Sequence, residues 1–243
     1  MYKRQALGPL GLAALFLGNI VFVFTSRVTL LVMPLLALLL GWRYWRWRGV
    51  LGACLLAAAI GTGSWFASPV LRARIASSIS EIEAYRLSNE ATSIGMHTAF
   101  LKESLEIVVA APLLGHGTGS IAEQFRQVTA QGKGASSVAT VNPHNQTFAV
   151  AIQLGILGAA ILWAMWIAHL LLFRGAGLAA WIGLIVVAEN VVSSAVHSHL
   201  FDFANGWLYV LGVGVLGGMV LRDGDGRSAN PRAAESAFLG DRR

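Results

Sequence analysis

Blocks of apolar residues long enough to cross a bilayer alternate with polar stretches along the chain. Six such blocks occur, at residues 6–24, 26–41, 49–69, 146–173, 176–196 and 204–221. A bilayer core about 30 Å thick needs about 20 apolar helical residues, and backbone groups in lipid must bond within their own segment. The pattern therefore predicts an all-α, polytopic integral membrane protein with about six transmembrane helices.

The stretch "GWRYWRWRG" between the second and third blocks predicts the orientation of the chain. Its arginines, Arg43, Arg46 and Arg48, alternate with tryptophans. Arginines between membrane spans favour the cytoplasmic side, and tryptophans favour the membrane interface. This loop is therefore predicted to be cytoplasmic, which places the connection after the third block outside.

This orientation divides the chain into four regions. Residues 1–69 hold three transmembrane helices, residues 70–145 form one large periplasmic loop, and residues 146–221 hold three more transmembrane helices. Residues 222–243 form a cytoplasmic tail whose small and charged residues predict disorder. Residues 1–5, "MYKRQ", match the translation of a transposase adaptor read from a GTG start, which suggests an artefact and a longer natural protein.

The periplasmic loop contains a predicted amphipathic helix, "GMHTAFLKESLEIVVAA". Its apolar residues include Phe100, Leu101, Leu105 and Val108 in helical spacing, which predicts a helix on the membrane surface. Pro112 and the turn "LLGHGTGS" end it. The following stretch "QGKGASSVAT" is predicted to be flexible, as a lid or a simple loop.

Composition and charge exclude several function classes. The chain is 56% hydrophobic and 12% charged, and its formal net charge of +6 is spread around the apolar blocks. No basic surface stripe forms, so nucleic acid is excluded as a partner. The single cysteine, Cys54, cannot form an intrachain disulfide.

The most informative polar stretch is Asn142–Asn145, "NPHN", directly before the fourth block. Pro143 suits the first turn of a helix and Asn142 suits its cap, so His144 is predicted at the membrane surface near a positive helix end, which favours neutral imidazole. On a straight helix Gly155 lies on nearly the same face as His144, about 16 Å deeper, and Gly158 follows one turn on. These glycines allow close packing of another helix or a lipid-like substrate. A cap or interface role for His144 is the competing interpretation.

Other polar residues admit two interpretations each. Arg27 faces outwards against the positive-inside bias, as a snorkelling anchor or as a ligand for an anionic head group. Glu189 and Asn190 lie in the middle of the fifth block, where structural pairing and a functional role are equally plausible. The periplasmic loop contains no aspartate and the chain has no HExxH pattern, so no metal site is predicted.

Three motifs together resemble the O-antigen ligase and polymerase superfamily, membrane glycosyltransferases of the bacterial envelope. They are His144-Asn145 followed after nine residues by Gly155-x-x-Gly158, the stretch "SRVTLL" around Arg27, and the turn "APLLGHGTGS". The resemblance covers most of residues 15–215. Because family members usually have about a dozen spans, it implies that this chain is a C-terminal fragment.

The resemblance implies transfer of a glycan from undecaprenyl pyrophosphate to an acceptor hydroxyl at the periplasmic face of the inner membrane, as in lipopolysaccharide biosynthesis. It implies an inverting, metal-independent reaction without a cofactor, in which His144 is the catalytic base. The candidate ligands of pyrophosphate and substrate are Arg27, Arg86, His97, Lys102 and Asn145.

Two questions stay open at this point. His97 stands where family members usually carry an arginine, and a histidine is a weaker phosphate ligand, so Lys102 or Arg86 would have to supply the charge. The acceptor is lipid A-core or another glycan for a ligase and a second carrier-linked glycan for a polymerase. A non-catalytic transporter component is the alternative from another class.

Overall fold

The structure is a computed structural model that describes residue 11, residues 15–19, residue 22 and residues 27–229. The described residues form helices and contain no strand, which confirms the predicted all-α fold. The helices are α1 (Arg27–Ala67), α2 (Pro69–Ser88), α3 (Ser93–Ala110), α4 (Ile121–Thr129), a 3₁₀ helix (Gly134–Ser137), α5 (Gln146–Leu172), α6 (Leu178–Ser193) and α7 (Phe203–Ala229).

Three of these helices are long and apolar enough to cross a membrane. They contain the candidate spans Val32–Ala67, Gln146–Leu172 and Phe203–Asp223. Helix α6 is also apolar but has only 16 residues. Most of the predicted first span, residues 6–24, lies outside the described residues, so the number of six spans stays a prediction. The chain is nonetheless an integral membrane protein by the length and composition of these helices.

Helix α1 is sharply bent in the middle of the arginine and tryptophan stretch. Arg46 has φ 54° and ψ −138°, far from helical values. A Cβ on Gly41 would lie 2.4 Å from the carbonyl oxygen of Gly49, although eight residues of straight helix span about 12 Å. The chain therefore folds back on itself at Arg46, and the two glycines allow the arms, residues 27–45 and 47–67, to touch.

The predicted periplasmic loop contains two helices besides the expected one. Helix α2 begins with the Ser68 hydroxyl accepting from Leu71 N and with Pro69 in the first turn, and it ends at left-handed Asn89. Helix α4 follows the glycine-rich turn. In α3, Phe100 is buried but Leu101 and Leu105 are exposed, so only part of the predicted apolar stripe packs inside. The position of α3 on a membrane surface stays a prediction.

Hydrogen bonds hold the stretch predicted to be flexible against the end of α2. The backbone N–H of Ala135 donates to the Asn89 carbonyl at 2.7 Å, and the Asn89 amide donates to the Lys133 carbonyl. Gly134, at φ +59°, permits this approach because a side chain there would collide with the Asn89 carbonyl. Part of "QGKGASSVAT" is thus a bound 3₁₀ turn.

The described residues belong to two compact units. Unit 1 covers Met1–Glu103 and Phe125–Val141, and unit 2 covers Ser104–Gln124 and Asn142–Arg243. In unit 1 the rings of Phe100 and Phe125 pack edge to face, with centroids 5.9 Å apart. In unit 2 the core is built by large side chains of α5, α6 and α7 and of the turn after α5, namely Leu162, Trp166, Phe173, Val187, Tyr209 and Val213.

Helices α6 and α7 differ in extent from the predicted spans. Helix α6 ends at Ser193, so Glu189 and Asn190 lie near its end and not in the middle of a span. Asn190 is buried inside unit 2. Helix α7 continues to Ala229, although the predicted span ends at residue 221 and the predicted tail begins at residue 222. Residues 230–243 of that tail lie outside the described residues.

Candidate functional site

The four residues Asn142–Asn145, here called the NPHN corner, form a tight turn before α5. The Asn142 side-chain oxygen accepts from the backbone N–H of His144 at 2.9 Å, while the ring of Pro143 is buried. His144 has φ 53°, a left-handed conformation that costs free energy in a residue with a Cβ. Such strain persists only where the surroundings enforce it, and it clusters at functional sites.

The cap of α5 is Asn145, and the prediction of Asn142 as cap is wrong. The Asn145 side-chain oxygen accepts from Phe148 N at 3.0 Å, and the helix begins at Gln146. The Asn142 oxygen is already occupied by the His144 N–H, which holds the corner out of the helix. His144 therefore precedes the helix. The prediction that His144 and Gly155 lie on the same face of one straight helix is wrong.

Hydrogen bonds join the corner and the first helical residue, Gln146, to residues 194–202, here called the histidine loop, which connects α6 to α7. Gln146 N donates to the Ser194 carbonyl and the Asn145 amide donates to the Ala195 carbonyl, both at 2.9 Å. The Gln146 side-chain oxygen accepts from Leu200 N at 2.9 Å. Gln146 is completely buried, so its two bonds are shielded from water, whereas the bond from the Asn145 amide is exposed.

The consequence of this register is a cluster of three imidazole rings. The Nδ1 atoms of His144 and His197 lie 3.4 Å apart, and their rings meet edge to face with centroids 5.5 Å apart. The ring of His199 follows at 5.4 Å from that of His197. All three side chains are partly exposed. Sequence reasoning missed His197, although "HSH" directly follows the fifth apolar block.

Gly155 interrupts α5, and the glycine-rich turn, residues 111–119, packs against it. Its φ of 67° breaks the helix. The turn bonds to the freed backbone groups: His116 N donates to the Ile152 carbonyl at 2.9 Å, and Ile156 N donates to the Pro112 carbonyl at 2.8 Å. The backbone of the turn lies so close that a Cβ on Gly155 would meet the Leu113 carbonyl.

The two glycines predicted to admit a helix or a lipid thus have other neighbours. Gly155 is covered by the backbone of the glycine-rich turn, which the structure joins to the "GxxG" motif within unit 2. Gly158 is buried, and a Cβ there would lie 2.4 Å from the Leu154 Cβ of its own helix. The absence of a side chain at Gly158 therefore allows Leu154 to pack closely against it after the break at Gly155. The side chain of His116 contacts the Ile107 carbonyl through Nε2 at 2.9 Å.

The candidate ligands of pyrophosphate belong mostly to unit 1. Arg27 begins α1, Arg86 is exposed in the last turn of α2, and His97 and Lys102 lie on α3, partly buried and exposed respectively. Asn145 and His144 belong to unit 2.

Glu81, an acidic residue of α2, has a structural role that the sequence did not reveal. The Glu81 carboxylate accepts from Ile94 N at 3.0 Å, at the start of α3. A carboxylate is favoured there by the helix dipole. Among the described residues, no group of three or more His, Cys, Asp or Glu side chains is arranged to hold a metal ion.

Comparison with known proteins adds one match to this geometry. The family model described as O-antigen ligase matches residues 12–163, more than half of the chain. The matched range contains the NPHN corner, the glycine-rich turn and Gly155. No curated protein matches the chain.

Proposed function

The chain belongs to the O-antigen ligase family, and on that premise we propose that it transfers a glycan from undecaprenyl pyrophosphate to an acceptor hydroxyl. As a family member it is a membrane glycosyltransferase of the O-antigen ligase or polymerase type. The proposal adds the donor, the ligase reaction, and His144 as the general base at the periplasmic face of the bacterial inner membrane.

The strained, buttressed NPHN corner is the observation that carries this proposal. It holds a partly exposed imidazole in a left-handed backbone conformation at the start of a membrane-length helix. The strained backbone of the corner sets the direction of one side chain, and the Asn145 amide ties the end of the corner to the histidine loop. A snorkelling or interfacial histidine would not need such a corner.

The proposed reaction is an inverting displacement at the anomeric carbon. The acceptor oxygen forms the new bond to that carbon, and the bond to the pyrophosphate oxygen breaks, with the electron pair leaving on pyrophosphate. The hydroxyl proton passes to the unprotonated ring nitrogen of His144. Attack from the side opposite the leaving group inverts the configuration.

Cationic side chains stabilise the leaving pyrophosphate in this proposal. Arg27, Arg86 and Lys102 carry the positive charge, with His97 in the position where the family resemblance implies an arginine. These charges act in place of a metal ion, since the predicted periplasmic loop offers no aspartate for one. Replacing His97 by arginine in the active protein then raises activity if His97 is the weak point of the anion site.

An assay with purified components tests the function. The full chain in lipid nanodiscs is incubated with carrier-linked glycan and with lipid A-core, and the product is identified by mass spectrometry. Glycan on lipid A-core supports the ligase reaction, whereas a longer glycan still on the carrier identifies a polymerase and rejects ligase. Transport without any transfer product identifies a transporter component.

The role of His144 is tested in the same assay. We expect His144→Ala to lose at least about 100-fold in kcat, the usual contribution of a general base. His199→Phe is the matched control, since it alters another histidine of the same cluster to which the reaction assigns no role. Wild-type activity in properly folded His144→Ala would remove His144 as the base.

A further inference from the structure

We propose that His197 is a positioning residue that holds the imidazole of His144 in the tautomer required of a base. This inference rests on the proposed function of His144. It concerns a residue 53 positions away in sequence, on a different loop, that touches His144 through a ring nitrogen.

The geometry of the pair determines what each ring can do. The two Nδ1 atoms lie 3.4 Å apart, and a hydrogen bond between them requires one to carry the proton and the other to accept it. When His144 donates from Nδ1, its Nε2 keeps a lone pair that can take the acceptor proton. When His144 instead accepts at Nδ1, its Nε2 carries a proton and is no base. The partner of one ring nitrogen thus decides the chemistry of the other.

The backbone around both rings fixes the pair in place. On the His144 side, the corner is closed by the Asn142 oxygen, and α5 is capped by Asn145. On the His197 side, the histidine loop is tied to Asn145 and Gln146 by bonds of 2.9 Å on either side of the ring. The contact between the rings is therefore supported at both ends of the loop and not only by the imidazoles themselves.

His197 also suits the charged state that the reaction creates. Once His144 has taken a proton at Nε2, it is an imidazolium with N–H groups on both nitrogens. The lone pair on His197 Nδ1 then accepts a charge-assisted hydrogen bond, which is stronger than the neutral one. His197 stabilises the protonated base without taking part in bond formation to the substrate.

A pair of substitutions separates the hydrogen bond from the packing of the ring. His197→Asn keeps an oxygen near the position of Nδ1 that can accept from His144, whereas His197→Phe keeps the aromatic ring against His199 and removes the acceptor. We expect His197→Phe to lower kcat by about 10- to 100-fold, the usual loss when a group that orients a histidine ring is removed. His197→Asn should recover most of that loss, and KM for the carrier-linked donor should be unchanged in both.

His199→Phe is the matched control for these two variants. It changes a ring in the same cluster and removes Nδ1, a buried nitrogen that has no hydrogen-bond partner among the described residues. We expect wild-type kcat in this variant. The melting temperature of each variant in nanodiscs is measured alongside, because a purely structural role of His197 would lower stability and protein level in the Phe and Asn variants alike.

Nitrogen-15 spectra of the histidine rings test the inference without any activity. In the full chain we expect His144 to be protonated at Nδ1 and bare at Nε2, and His197 to be the opposite tautomer. His197→Phe should shift His144 towards the Nε2-protonated form. A spectrum in which wild-type His144 is protonated at Nε2 overturns the inference.

The outcomes distinguish this inference from the proposed function. If His144→Ala is inactive while His197→Phe keeps wild-type kcat, the inference fails and the proposed function stands. If His144→Ala is active, the base role fails, and with it the inference that His197 serves it. Loss of kcat in His197→Phe with recovery in His197→Asn supports both.

Discussion

A Cβ atom on Gly155 would lie 2.1 Å from the carbonyl oxygen of Leu113, so the two backbones touch where α5 is broken. This contact joins the two glycine-containing motifs of the sequence, "APLLGHGTGS" and the "GxxG" after His144, into one local structure within unit 2. The turn supplies the hydrogen-bond partners that the break removes from the helix. Backbone groups left unpaired in a membrane-spanning helix are costly, so each motif needs the other.

Gly155→Ala is expected to destabilise the protein strongly. The methyl group collides with the Leu113 carbonyl, and alanine at φ 67° adds about 1–3 kcal/mol of backbone strain. Gly214→Ala in α7 is the control, because a Cβ at Gly214 has no atom within 4 Å. Unfolding in detergent should show a large fall in stability for Gly155→Ala and no fall for Gly214→Ala, which gains up to about 1 kcal/mol because alanine favours a helix more than glycine does. Equal stability of the two variants would contradict the docking of the turn at Gly155.

Two substitutions at Asn145 separate its two hydrogen bonds. Asn145→Ala removes the cap on Phe148 N and the bond to the Ala195 carbonyl, and should cost about 0.5–2 kcal/mol for the cap alone. Asn145→Asp keeps an oxygen for the cap but cannot donate to Ala195. Hydrogen exchange at the Phe148 amide should therefore accelerate in the alanine variant and stay slow in the aspartate variant.

The aspartate variant also tests the link between the corner and the histidine loop. Without the Asn145 donor, exchange in the histidine loop should accelerate while the start of α5 stays protected. Uniform protection of the loop in Asn145→Asp would mean that Gln146 alone holds it.

A hydrogen bond between α5 and α7 should be measurable by a double-mutant cycle. His169 Nδ1 and the Tyr209 hydroxyl lie 2.7 Å apart, and Tyr209 belongs to the core of unit 2. Comparing His169→Phe, Tyr209→Phe and the double variant should give a coupling of about 0.6 kcal/mol and at most about 1.7 kcal/mol, as found for side-chain bonds between membrane helices. Strictly additive effects of the two substitutions would show that the bond contributes nothing to stability.

The amino-acid pattern alone predicts the class of the protein and most of the helices among the described residues. Apolar blocks of membrane length have one stable solution in lipid, so residues 146–173 predicted α5 (Gln146–Leu172) closely. Pro112 and the glycines after it predicted the end of α3, because both residue types disfavour a continuing helix. The NPHN corner is a polar stretch joined directly to a membrane-length helix, and this pattern predicted His144 as a candidate site residue.

Tertiary structure decided the features that depend on contacts between distant residues. Helical periodicity assumes a straight helix, so it could not reveal the break at Gly155, which shows itself as a positive φ. The reversal at Arg46 is different, because it lies in the stretch between the second and third apolar blocks, which the hydrophobic pattern had already separated. The competition between Asn142 and Asn145 for the cap was settled by which amide N–H each oxygen could reach. His197 meets His144 only because hydrogen bonds from Asn145 and Gln146 set the register of the histidine loop, and no local pattern encodes a register between segments 50 residues apart.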